Sequence, residues 1–142
     1  MPRDCGGPAL NKPEDAERAF YEAFVIHDLD AMMRVWARSD AIVCIHPGMP
    51  RLEGVEAIRA SWAELFDVAQ AVPAKLQIQL LSRTRSEVVA VHAVMERFTA
   101  ERETGLVFAI NAFRLDGEGW HLVSHHASPG WTEASVTREA LH

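Results

Sequence analysis

His125 and His126 stand side by side in the string Trp-His-Leu-Val-Ser-His-His-Ala-Ser-Pro, from Trp120 to Pro129. An imidazole with an ordinary pKa of about 6.5 can take or give a proton near neutrality. Adjacent residues on a strand point to opposite faces. One of the two histidines therefore looks into whatever the sheet encloses, and the other looks out. Three other places offer comparable chemistry. His46 precedes Pro47 at the end of a short β-branched run, and could act as a base or hydrogen-bond a nearby carbonyl. Glu96 and His92 are four apart on one strand and share a face. A carboxylate on an inward, apolar face has its pKa pushed up by desolvation, which makes it a functional candidate. The alternative for Glu96 is a structural pair with an arginine or a histidine. Asn111 shares its strand face with Ala109, Phe113 and Leu115. An amide there must find partners, either a ligand oxygen or a backbone group across the sheet.

The elements that position these residues follow from periodicity. Pro13, Glu14 and Asp15 form a helix start, and Ala16, Ala19, Phe20, Ala23 and Phe24 follow at helical spacing, which predicts a first helix over 13–26. Asp28 is an N-cap for a second helix with Leu29, Met32, Met33 and Trp36 on its apolar stripe. A strand over 41–45 follows. A third helix begins near Gly54, carries Val55, Ile58, Trp62, Leu65 and Phe66, and ends at Pro73. The pattern then changes to period two, predicting strands over 76–83, 88–100, 106–115 and 120–128. Helices first and a strand meander afterwards predict an α+β domain, with three N-terminal helices on a mostly antiparallel sheet.

On the last strand, Trp120, Leu122, Ser124, His126 and Ser128 form the set with the larger apolar residues. Strict alternation puts that set inside, with His126 beside Glu96 and Asn111, and leaves His125 outside. The strands are apolar on both faces. The second face calls for a partner, and the simplest is a homodimer through the outer face of the sheet.

Composition bounds the partners. The chain has 142 residues, 49% hydrophobic and 24% charged, with a net charge of -6 and no run of Lys or Arg. This predicts one soluble domain, no nucleic-acid surface and no membrane association. Residues 1–12 read as a flexible arm, 13–130 as the domain and 131–142 as a tail. Two cysteines, Cys5 and Cys44, make no disulfide framework, and a reducing cytoplasmic location fits. His46, His92, His126 and Glu96 are metal-ligand types without compact ligand spacing, so no metal is expected. There is no phosphate loop or nucleotide fingerprint, and no cofactor is expected.

The element order resembles the NTF2-like superfamily. Local strings are similar to its SnoaL-like branch: Cys-Ile-His-Pro-Gly at Cys44–Gly48, the run Gly54–Trp62, Glu96, Asn-Ala-Phe-Arg at Asn111–Arg114, and Trp120–Pro129. The resemblance implies a cone with a pocket between a strongly curved sheet and the helices. Trp36 and Trp62, otherwise core residues, would then line it with His92, Asn111, Phe113 and Ser124. It also implies that His46 occupies the place of the general-base aspartate of ketosteroid isomerases, and that Phe20 replaces their helix-1 tyrosine, with Tyr21 on another face. Two functions stay open. One is cofactor-independent acid–base catalysis (isomerase, dehydratase or hydrolase type) on a small, largely apolar molecule, carried by His46, Glu96 and His126. The other is a non-catalytic ligand-binding or dimeric association module.

Overall fold

The computed structural model describes residues 9–71 and 74–132. Three helices, α1 (Pro13–Ile26), α2 (Leu29–Val35) and α3 (Val55–Ala71), accompany six strands. The strands are β1 (Val43–Ile45), β2 (Leu52–Glu53), β3 (Lys75–Arg85), β4 (Val89–Ala100), β5 (Glu103–Asp116) and β6 (Gly119–Thr132). The order β2-β1-β6-β5-β4-β3 makes one sheet, antiparallel except where β1 runs parallel to β6. This is the α+β, NTF2-like architecture that the sequence predicts, and α1 has the predicted bounds. The two-residue β2 was not expected.

Local chemistry explains the element ends. Asp28 caps α2 by accepting from the Ala31 amide at 3.0 Å. His27 ends α1 in the left-handed region, with φ of 59°. Trp36, placed on a helix by its spacing, lies just past α2 in extended backbone. There it forms a parallel bridge to Leu122, and its side chain is buried.

α1 crosses the sheet over β5 and β6. Ala16, Phe20 and Ala23 face a core with Trp36, Ile58, Trp62, Val94, Phe113 and Leu122. Phe20, Phe24, Trp62 and Phe66 meet edge to face or tilted, with centroids 5.0 to 6.5 Å apart. β3, at the sheet edge, is left largely uncovered.

β6 carries the feature that decides the site. Its register with β5 shifts between Ala112/Phe113: Phe113 pairs with Leu122, whereas Ala112 pairs with Ser124. Val123 is therefore an extra residue, a β-bulge that breaks strict alternation. Trp120 and Leu122 face inward before it, and His125 and Ala127 face inward after it. His126 and Ser124 pass to the other face, where His126 is exposed and Ser124 half-buried. The predicted inward set thus holds for its first half and fails for its second.

Of the predicted arm, residues 1–8 lie outside the described residues. Leu10 is buried, and its carbonyl accepts from the Trp120 amide at 2.8 Å. The predicted tail lies outside the described residues from 133 onward. Among the described residues, no helix is long and apolar enough to cross a membrane.

Candidate functional site

Five buried or nearly buried polar side chains from α1, β4, β5 and β6 meet under the helix. Tyr21 donates to Glu96 Oε2 at 2.6 Å. Asn111 gives one amide hydrogen to Tyr21 Oη and the other to Glu17 Oε2, both at 3.1 Å. His125 Nδ1 lies 2.5 Å from Asn111 Oδ1. Tyr21 gives its own hydrogen to Glu96 and can only accept from Asn111, which fixes the Asn111 amide with nitrogen toward Tyr21 and Glu17 and oxygen toward His125. His125 must then carry its proton on Nδ1, which leaves the lone pair on Nε2.

The network continues outward. His92 Nδ1 donates to Glu17 Oε1 at 3.0 Å, and His92 Nε2 stands 3.6 Å from Glu14 Oε2. Arg83 reaches the same Glu14 oxygen at 3.3 Å. A line of polar contacts thus runs from Arg83 at the surface through Glu14, His92 and Glu17 to Asn111. His92 faces inward as predicted, and its ring packs 5.1 Å from Phe113.

His46 belongs to a second, neighbouring cluster. Ser61 Oγ donates to the Ile58 carbonyl at 2.7 Å and lies 3.0 Å from His46 Nε2. Since the hydroxyl hydrogen is engaged, Nε2–H of His46 is the donor and Nδ1 holds the lone pair. Cys44 Sγ lies 3.7 Å from the same nitrogen. Trp62 stands edge-on to His46 at 4.8 Å and is 6.1 Å from His125, so one indole touches both clusters.

Burial sets the acidities. Glu96 is pushed up to about 7 by desolvation and, more weakly, by the nearby Glu17; the Tyr21 hydrogen bond opposes this. Tyr21 is raised well above its ordinary value by burial and then by Glu96. His125 is held down to about 3 by burial, helped by His46 and His126. Burial also lowers His46. The Cys44 thiol is pushed up to about 12, mainly by burial, which makes it an inert core group rather than a nucleophile. Near pH 7 the site therefore holds two neutral imidazoles beside a carboxyl poised between its two states.

Of the predicted site residues, the structure brings Glu96, Asn111, His92 and Phe113 to one face, with His46 and Trp62 adjoining. Trp36 is buried nearby in the core. His126 and Ser124 are not there, and His125 takes the inward place because of the bulge. Tyr21 was expected on another face, yet it is buried at the centre of the network. The helix stripe through Phe20 and Phe24 is wide enough to include it, with its ring 4.8 Å from Phe20 and 6.3 Å from Phe24. Glu17 was missed because an acid on a helix reads as a solvated one. Its spacing of three from Glu14 and four from Tyr21 was the available signal. Among the described residues, no three His, Cys, Asp or Glu side chains are grouped to hold a metal ion.

The comparisons with known proteins agree with this architecture. A solved structure from Thiobacillus denitrificans is 38% identical, with a TM-score of 0.79 over 87% of this chain and 99% of that one. Its name assigns it to the calcium/calmodulin-dependent protein kinase type II association domains. A structure from Streptomyces avermitilis, named as a dehydratase of the NTF2-like family, is 29% identical with a TM-score of 0.68, over 82% of this chain and 91% of that one. The F-box protein SKIP8 of Arabidopsis thaliana is 29% identical over 100 residues, which are 70% of this chain; the match spans only 42% of that protein's length. The sequence pattern of the SnoaL-like domain matches residues 14–132, and with the sheet order and helix placement above, this chain belongs to the SnoaL-like family of the NTF2-like superfamily.

Proposed function

We propose that this protein binds a small, largely apolar molecule under α1 and performs acid–base chemistry on it without an organic cofactor. The observation that carries the proposal is the buried Tyr21–Glu96 pair, 2.6 Å apart, with a carboxyl pushed up to about 7. Such a pair can present a hydrogen-bond donor to an oxygen on which negative charge develops, in a site of low dielectric. His125 Nε2 and His46 Nδ1 are the lone pairs left to accept a proton. Asn111 holds Tyr21 and His125 in register, and Trp62 and Phe113 supply apolar wall. His126, on the other face, takes no part.

The test begins with thermal-shift screening of a metabolite library, since a ligand of the native state raises its apparent stability. Molecules that bind are then assayed for turnover. Glu96→Gln and His125→Gln should each lower turnover by about a hundredfold or more while binding persists. Turnover that survives in both variants refutes the proposal.

A second reading has its own observation. The outer face of the sheet exposes Val89, Val91, Phe108 and Ile110 around His126. A contiguous apolar face of that kind supports a homodimer. The likeness to a structure named as an association domain supports an associating role. Ligands that bind but are not converted by the wild-type protein would favour this second reading.

A further inference from the structure

The uncovered strand β3 makes a groove with α1 that opens beside the polar network described above. Its volume is about 460 Å³, and Glu14, Glu17, Arg18, Tyr21, Glu22, Val25, Ile26 and Ile78 line it. Its apolar part comes from both sides. Ile78 pairs with Glu96 and so lies on the inner face of β3, yet it is 36% exposed because no helix covers it. Val25 and Ile26, at the end of α1, are 53% and 67% exposed. These are branched aliphatic side chains left in water on an otherwise well-packed helix.

The other end of the groove is charged. Glu14, Glu17 and Glu22 line it with one cation, Arg18, whose guanidinium lies 3.5 Å from Asp15; Glu14 is already engaged by Arg83, so Glu17 and Glu22 carry the negative charge of the groove. Glu17 is held rigid, one oxygen on Asn111 and the other on His92. A carboxylate has about four lone-pair sites, so two remain for a further donor. Tyr21, at the groove's inner wall, is fixed by Glu96 and Asn111. The groove therefore joins an aliphatic slot to a preorganised negative end.

We propose that the α1–β3 groove binds an amphiphilic organic cation, a primary ammonium on an aliphatic chain, with its head toward Glu17 and Glu22 and its chain along Val25, Ile26 and Ile78. Complementarity of charge at one end and of apolar surface at the other selects this occupant over an alcohol or a carboxylate of the same length. The groove shares Tyr21 and Glu17 with the interior network, but the inference concerns binding along Glu22, Val25, Ile26 and Ile78, none of which has a role in the proposed chemistry.

The full chain is titrated with hexylammonium at neutral pH and followed by amide NMR shifts. Saturable shifts are expected at Tyr21, Val25 and Ile78. Hexanol should bind about tenfold more weakly, because it lacks the charge. Ethylammonium should also bind at least about tenfold more weakly, because each lost methylene removes buried apolar surface. Glu22→Gln, an exposed and structurally mild change, should weaken hexylammonium severalfold and leave hexanol unaffected. The proposal is overturned if hexanol matches hexylammonium, if ethylammonium does, or if no saturable shift occurs at those residues. A second copy or other chain already seated in the groove would produce that last result.

Discussion

Tyr21 on α1 donates its phenolic hydrogen to Glu96 on β4 across 2.6 Å, and both side chains are buried. The pair joins helix to sheet, with the Glu96 carboxyl beneath α1. Burial raises both acidities, so neither group ionises readily beside the other. Asn111 steadies the phenol from its other side and turns its own oxygen to His125. The consequence is a polar layer inside an apolar core, each member of which sets the protonation of the next.

Glu96 should give the folding stability a descending limb. Its folded pKa of about 7 lies above the ordinary 4.5. Below pH 4.5 the carboxyl is protonated in both states, and its favourable contribution is complete. As pH rises toward 7, the unfolded chain ionises first and stability is lost, by roughly 3 kcal/mol in all. Glu96→Gln, which cannot ionise, should abolish this limb. Urea unfolding from pH 4.5 to 8 measures it, and a limb that persists in the variant would assign it to another group.

His125 should give a limb of opposite sign. Its folded pKa of about 3 lies below the ordinary 6.5. Above pH 6.5 the ring is neutral in both states. As pH falls, the unfolded chain binds a proton that the folded chain refuses, and stability drops by about 3 kcal/mol by pH 4.5. The two limbs oppose each other between pH 4.5 and 6.5, so the wild-type protein should be nearly flat there. Glu96→Gln should unmask the His125 slope, and His125→Gln the Glu96 slope. Nitrogen-15 NMR should also find the His125 proton on Nδ1 and the ring still neutral at pH 5; a charged ring there would contradict the assignment.

Much of this arrangement was legible in the sequence, because period and caps are local. Pro13 and Asp28 mark helix starts by chemistry that needs no tertiary contact. Period two put His92, Glu96, Asn111 and Phe113 on one face, and the register of β4 with β5 places His92 opposite Asn111. What failed was non-local. Val123 carries no turn residue that would signal a bulge. The irregularity lies where β6 leaves its bridge with Trp36 and begins to pair with β1, and that is a property of the whole sheet. One extra residue there exchanged His125 for His126. Glu17 and Tyr21 needed knowledge of how α1 is rotated over β5, which the helical pattern alone leaves loose.

The outer face makes its own prediction. Phe108 pairs with Met95 and Ser128, and Ile110 pairs with Ala93 and His126, so the exposed apolar residues form neighbouring cross-strand rows. If this face joins two copies, Phe108→Glu should bury an unpaired charge at the interface and convert dimer to monomer. Sedimentation equilibrium reads the change, and the near-ultraviolet dichroism of the buried tryptophans should be preserved. A wild-type protein that sediments as a monomer at micromolar concentrations would remove the dimer from consideration.

Asn111 is the residue on which the network depends most, since both amide hydrogens and its oxygen are engaged in a wholly buried site. Asn111→Leu, close in shape, should leave Glu17 and the His125 N–H short of a partner and destabilise the fold by about 3–5 kcal/mol. Asn111→Asp is the sharper experiment. The new carboxylate can still accept from His125, but its second oxygen faces Glu17 and the lone pair of Tyr21. At pH 8 two adjacent carboxylates should repel, and the variant should be markedly less stable than wild type. Protonation of the new aspartate would restore a donor toward Glu17, so the deficit should shrink as pH falls to 5. Unfolding midpoints at the two pH values measure the difference. An aspartate variant as stable as wild type at pH 8 would mean that the amide is turned the other way, and the His125 tautomer would have to be reassigned with it.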